Sequence, residues 1–278
     1  MMETPEWLHP VREKLKEGDR KGAAKLLKEI SRSSPRTAEA FTSIGYLWEE
    51  MEEHRQALKA FWKAISIDEK YAKAYQGAGF VLQKLKIMDK ALEAYRLAAE
   101  LDPDDPSIIA DLGILLFNMG KVKEAEKVLQ RALELNPNDA IVHNTMGYIE
   151  YLKDDIEKST QHFEEAVRAL PTFASARNNL AYLYLLQGRL DDARKEIEEA
   201  LKLNPRMVRG LYNLGLVHWL SGDRDAAAES YAKARSLDLD GDDFQEHKLD
   251  VDELARAQPK WKEPIDELKE LLEKARRA

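Results

Sequence analysis

The chain has 278 residues, 44% of them hydrophobic and 34% charged, the balance of a folded protein with much exposed helix surface. It has no cysteine, which excludes disulfides, thiol catalysis and cysteine-bound zinc or iron–sulfur clusters. Its formal charge of −8 argues against a general nucleic-acid binder, which needs a basic face to neutralise phosphates.

The N-terminus, MMETPEWLHP, has no basic-then-apolar signal pattern. The longest apolar stretches, such as LAYLYLLQG from Leu180, are too short to span a bilayer. A cytoplasmic protein that engages no membrane is expected.

Along the chain, one phrase recurs. ELDPDDPS, LELNPNDA and LKLNPRMV place Pro103, Pro137 and Pro205 in one column with Pro35 and Pro171, at multiples of 34 residues. A fixed period of this length marks a repeat architecture. Seven rows follow without an insertion: 4–37, 38–71, 72–105, 106–139, 140–173, 174–207 and 208–241.

Row one carries Gly18, Ala23 and Leu27, but has Pro10 and Val11 where later rows have an apolar residue and glycine. Its first helix is expected to be kinked or to start late, making this degenerate row an N-terminal cap. Rows two to five carry Gly45, Gly79, Gly113 and Gly147 at the eighth place, row six Ala181 and row seven Gly215. The twentieth place holds Ala57, Ala91, Ala125, Ser159, Ala193 and Ala227. The twenty-fourth holds Phe61, Tyr95, Leu129, Phe163, Ile197 and Tyr231. Row two has Glu69 in the proline column.

Apolar places fall three and four apart, as in AYQGAGFVL and ALEAYRLAAEL, so each half-row reads as an amphipathic helix. Small residues at places eight and twenty let two helices approach, and the large residue at place twenty-four fills the space beside them. Gly18, Gly120, Gly188 and Gly222 share the place between the helices, where glycine can adopt the left-handed conformation that ends a helix. Proline at place thirty-two is expected to stop the second helix.

FTSIGYLW, IADLGILL and LYNLGLVH, with the alanine, aromatic and proline columns, closely resemble the tetratricopeptide repeat family over residues 4 to about 241. The resemblance implies an all-α fold: a right-handed solenoid of helix-turn-helix hairpins, first helices lining a concave groove and second helices forming the convex back. Beyond it, 242–278 reads as an acidic connector followed by an amphipathic helix, PIDELKELLEKARRA, with Ile265, Leu268, Leu271, Leu272 and Ala275 on one face. Solenoids need an end element with one polar side, so capping is expected. A partner-binding or dimerising helix is the alternative.

No catalytic constellation is present, and neither an enzyme nor a cofactor is implied. None of the six histidines pairs with another at metal spacing along a helix face. LDLDGDDFQEH, from Leu237, places Asp238, Asp240, Gly241 and Asp242 in the frame of a calcium loop, but His247 stands where the closing glutamate belongs. An acidic loop capping the following helix is expected instead.

The resemblance puts places 2, 5, 6, 9, 12 and 13 of each row on the groove. Rows two to four offer Ser43, Tyr46, Gln76, Phe80, Asp111, Ile114 and Phe117. Rows five to seven offer Asn144, Tyr148, Tyr151, Asn178, Asn179, Tyr182, Arg209, Tyr212, Asn213 and Trp219. All of the latter except Trp219 are the candidate peptide-binding residues. Asparagine can bond a peptide backbone as donor and acceptor, and Asn179 and Asn213 share the place of the family's asparagine ladder. Tyrosine gives contact area with little rotamer entropy, and Arg209 can pair with a carboxylate. The same residues could equally pack between neighbouring helices. The family's carboxylate clamp for chaperone tails is disfavoured, because no row has its Lys–Asn pair.

The expected function is a protein–protein interaction module or adaptor holding a peptide or partner protein in the groove. The alternative is a structural scaffold that self-assembles through its repeat ends or C-terminal helix. Row one, with nine basic and five acidic residues, and 242–278, with eight and eleven, have the opposite charges that a head-to-tail homo-oligomer would use.

Overall fold

The computed structural model describes residues 5–33 and 36–277, with side chains up to residue 272. Pro35 of the proline column and the side chain of Ala275 lie outside the described residues. Those residues are all-α, sixteen helices and two short 3₁₀ turns without a strand, in two compact units, 1–137 and 138–278.

The first unit holds four hairpins: α1 (His9–Lys16) with α2 (Arg20–Ser33), α3 (Ala38–Glu50) with α4 (His54–Ile67), α5 (Ala72–Lys84) with α6 (Met88–Leu101), and α7 (Pro106–Asn118) with α8 (Val122–Leu135). The second holds three: α9 (Ala140–Leu152) with α10 (Ile156–Ala169), α11 (Ala174–Leu186) with α12 (Leu190–Leu203), and α13 (Val208–Leu220) with α14 (Arg224–Leu237). Two further helices follow, α15 (Asp242–Ala257) and α16 (Lys262–Arg277). Helix α1 does start late, after a 3₁₀ turn at Glu6–Leu8, and Pro10 sits in its first turn, where its missing N–H leaves no bond unmade.

Each hairpin closes on the pair of places the period picks out. A Cβ on Gly147 would stand 2.9 Å from the Phe163 ring. One on Gly45 or Gly77 would meet Phe61 at 2.6 or 2.3 Å, so this ring is wedged between its own hairpin and the next first helix. Where row five replaces alanine by Ser159, the buried hydroxyl donates to the carbonyl of Gly147 at 2.7 Å, which removes the penalty of burying it.

The turn inside each hairpin is left-handed in all seven rows. Gly18, Gly120, Gly188 and Gly222 have φ between 73° and 85°, and Glu52, Lys86 and Asp154 hold the same place at φ 59–63°. The N–H of the following residue bonds back to the helix, as in Lys121 to Leu116 and Ile87 to Leu82, both 2.9 Å. A non-glycine residue in this region costs about 1–2 kcal/mol. Lys86→Gly is therefore expected to stabilise the first unit by about 1 kcal/mol, read as a higher urea midpoint. An unchanged or lower midpoint would show the turn to be unstrained.

The second helices all end at place thirty, row two included, where Glu69 replaces the proline. Proline is thus not what stops them. In rows two to six the next residue turns extended (Asp68 at φ −140°, ψ 101°; Asn136 at φ −137°, ψ 89°), while its N–H still reaches the alanine carbonyl four residues back. Proline accepts that conformation in its predecessor rather than imposing it.

The segment 242–257 differs most from expectation, being helix α15 rather than a connector. Its sequence explains this: Phe244, His247, Val251 and Leu254 recur three and four apart. The start is capped as expected. Asp238 accepts from the Phe244 N–H at 2.9 Å, Asp240 accepts from the Asp242 N–H at 3.2 Å, and Gly241 is left-handed. Helix α16 buries Ile265, Leu268 and Leu272 against the end of row seven, leaves Leu271 half-exposed, and acts as the cap. It also claims Trp219, whose indole N–H donates to the Pro264 carbonyl at 2.6 Å.

Candidate functional site

The candidate residues lie on α9, α11 and α13 and separate into two sets. The asparagines pair with one another. Asn179 donates to Asn144 at 3.2 Å, and Asn213 donates to Asn178 at 3.1 Å. Each pair joins place five of one row to place six of the next, and Gln76 and Asp111 repeat the pairing at 2.7 Å in the first unit. Asn178 and Asn213 are buried, 5% and 3% exposed, so their amides fasten first helix to first helix. Tyr212 is also buried, 1% exposed, against Tyr231, Phe244 and His247, with its hydroxyl on Asp238 at 3.0 Å. Asn144, Asn179 and Tyr148 are half-buried, and Tyr148 packs edge-on to Phe163.

The second set converges on helix α15. Tyr151 of α9 and Tyr182 of α11 both donate to the carboxylate of Glu253, Tyr182 at 2.6 Å. Arg209 of α13 reaches Asp250 at 3.3 Å and Glu246 at 3.0 Å. Three successive first helices thus grip one stripe of acids, Glu246, Asp250 and Glu253. Beside the stripe His247 stacks on Tyr212 with ring centres 5.1 Å apart, while Val251 and Leu254 enter the core. Past the end of α15, the Gln258 amide donates to the Leu186 carbonyl at 2.7 Å, satisfying an open carbonyl at the end of α11.

Electrostatics make this contact conditional. Burial keeps the Tyr182 hydroxyl far from ionising, with Asp250 and Glu253 adding repulsion, and Tyr151 is raised likewise, so both phenols remain donors. The Arg209–Asp250 pair is lopsided. Burial works against the guanidinium, but Asp250 and Glu246 hold it firmly charged. Asp250 is pushed up to about 6, because burial outweighs the attraction of Arg209. His247 is driven down to about 3 by burial, with the Arg209 charge adding to it.

These two groups give the docking of α15 opposite pH dependences. His247 favours docking fully above its ordinary 6.5, and the contribution is lost as pH falls towards 3. Asp250 favours docking most below its ordinary 3.8, and that is lost as pH rises through 6. Between pH 4 and 6 the two oppose each other. His247→Phe is therefore expected to make docking tighten on acidification in that window, and Asp250→Asn to make it loosen, each by about 1 kcal/mol per pH unit. Hydrogen exchange of the α15 amides reads both, and parallel slopes in the two variants would contradict the assignment.

Sequence reasoning missed the acids that these side chains hold. The signal was present as two acid-then-apolar doublets, Asp250-Val251 and Glu253-Leu254, preceded by Glu246-His247, spaced four and three apart. It also missed His143 and His162, which meet across the α9–α10 hairpin with their Nδ1 atoms 3.0 Å apart. That spacing of nineteen residues is invisible to a search along one helix face. Burial, then His143, lowers His162. Among the described residues no three His, Asp or Glu side chains are placed to hold a metal, and no helix is long and apolar enough to cross a membrane.

Models of the tetratricopeptide repeat match residues 86–147, 154–200 and 178–243. No curated protein sequence matches the chain. Among solved structures, it is similar to a chain of the APC/C hetero-tetramer Cut9–Hcn1 (18% identity, 92% of this chain and 49% of that one, TM-score 0.72). It is also similar to Pseudomonas aeruginosa pilF (21% identity, 76% and 96% covered, TM-score 0.70). A third is YrrB, described as a TPR protein with an unusual peptide-binding site (19% identity, 76% and 99% covered, TM-score 0.53). At these identities the likeness is one of fold, and the chain spans about half the length of its Cut9–Hcn1 counterpart. With the 34-residue period, the glycine–aromatic seam and the matched models in agreement, the chain belongs to the tetratricopeptide repeat family.

Proposed function

We propose that this chain is a non-enzymatic adaptor, which receives a peptide or partner-protein segment on the first-helix face of α9, α11 and α13. One observation carries the reading: Tyr151, Tyr182 and Arg209, from three successive repeats, converge on a single helix laid across them. The three donors stand at different places of their repeats, twelve, nine and two, yet all turn to the same helix, which a surface built only to close the core does not require. Fold alone does not assign a partner; the support comes from the donors, their spacing and the helix they already hold.

The test is capture from native lysate with three full-length baits. The first is the intact chain. The second carries Asp250→Lys and Glu253→Lys, which clears α15 from the face. The third adds Tyr182→Ala and Arg209→Ala to the second. The expected partner is enriched on the second bait and lost on the third, with circular dichroism unchanged. Equal capture by all three would move the site elsewhere.

A further inference from the structure

Resting on that reading, we propose that α15 is a built-in ligand: the face of Tyr151, Tyr182 and Arg209 is a receptor for acidic amphipathic helices. The partner would carry carboxylate–apolar doublets at i, i+4 and i+7, and α15 occupies the face until such a helix replaces it. Three features lead here. The first is stereochemical. Glu246, Asp250 and Glu253 fall on one stripe of the helix, and each is followed by a residue that turns into the core: His247, Val251 and Leu254. The receptor side therefore reads a charge and an adjacent core-facing side chain three times, apolar at Val251 and Leu254 and an imidazole at His247, which is a specific pattern rather than general acidity.

The second feature is that every polar contact to the stripe is made by a donor: two phenol hydroxyls and one guanidinium. A helix presenting lysines there would meet the Arg209 charge and forgo the charge-assisted bonds that the two phenols give a carboxylate, so the face selects against basic segments. The third is that the fit of α15 is imperfect. Asp250 is part-buried beside Arg209 without an ideal bond, at 3.3 Å. The His247 Nδ1 is buried with no partner. Leu249 is 69% exposed on the outer side. A partner helix with a better residue in the His247 slot removes one of these penalties and so competes on favourable terms.

The experiment uses a fluorescent synthetic peptide of residues 242–257 as the partner probe. Receptors are the intact chain, the Asp250→Lys/Glu253→Lys chain, and a second released chain, Val251→Asp, in case the charge reversal perturbs folding. Fluorescence anisotropy is expected to give at least tenfold tighter binding to a released chain than to the intact one. Adding Arg209→Glu to the Val251→Asp chain should weaken binding about thirtyfold, and a peptide with Glu246, Asp250 and Glu253 changed to Lys should not bind. Hydrogen exchange identifies which chains have released α15. A released chain that ignores the peptide overturns the built-in ligand. So does retention of α15 by both altered chains. In either case lysate capture that depends on Tyr182 and Arg209 would leave the adaptor reading standing, so the two failures are separable.

Discussion

Phe61→Ala is expected to destabilise the first unit by about 3–5 kcal/mol, the range for emptying a buried aromatic site. The ring is fully buried, and it fills the missing Cβ space of Gly45 in its own hairpin and of Gly77 in the next. It also meets Tyr46 edge-on with ring centres 5.2 Å apart. Backbone cannot follow the loss, because the two glycines have no side chains with which to refill the gap. Phe61→Leu should cost far less, below about 1.5 kcal/mol, as volume-similar apolar exchanges do. Row four supports this, since Leu129 fills the same place opposite Gly113. Urea unfolding with hydrogen exchange in α3 to α6 measures both. An alanine variant within 1 kcal/mol of the intact chain would mean that the glycine–aromatic seam does not hold the hairpins together.

Val251→Asp has the second large effect, and it acts locally. Val251 is 1% exposed, and burying such a side chain contributes about 1.5–3 kcal/mol. Aspartate there loses that term and adds a carboxylate next to Asp250, which already resists ionisation. The combined loss of about 3–5 kcal/mol should detach α15 and leave α9 to α14 folded. The seam of Gly147 on Phe163 does not involve α15, and Tyr231 keeps its place against Gly215 although its hydroxyl loses the His247 ring nitrogen 3.1 Å away. Hydrogen exchange should rise by two to three orders of magnitude in residues 244–257 and remain slow in α9 to α14. Simultaneous exposure of all helices of the unit would make α15 an integral part of the fold. Arg209→Glu should have a smaller effect, about 2 kcal/mol, because the guanidinium is 42% exposed and its contact with Glu246 lies at the rim.

Much of this was legible in the sequence because a repeat states each rule several times. Four glycines at one turn place made the left-handed conformation readable there, whereas Glu52, Lys86 and Asp154 hold it in the other three rows with no sign in their residue type. Six glycine or alanine positions opposite a large residue identified the seam before any contact was known. The proline column was misleading for the same reason: a recurring residue looks causal, yet the α4 end beside Glu69 shows that it is permissive.

The candidate face was legible by place and not by partner. Position in the repeat puts Tyr151, Tyr182 and Arg209 on the first helices correctly, but it does not say that Asn178 and Asn213 turn towards each other. That depends on a pairing offset of 35 residues, one more than the period, which no column displays. Helix α15 was hidden by composition. Its eight flanking and internal acids read as a solvated connector, and only the three-and-four spacing of Phe244, His247, Val251 and Leu254 contradicts that.

The most direct test of the central claim uses the absence of native cysteine. Tyr182→Cys and Glu253→Cys introduced together place the only two thiols where α11 and α15 meet. A short bismaleimide should then join them within one chain in high yield, and Arg209→Glu in the same background should reduce that yield sharply. If the two thiols stay unlinked while each reacts freely with a monofunctional maleimide, α15 does not lie on the first-helix face and the account fails.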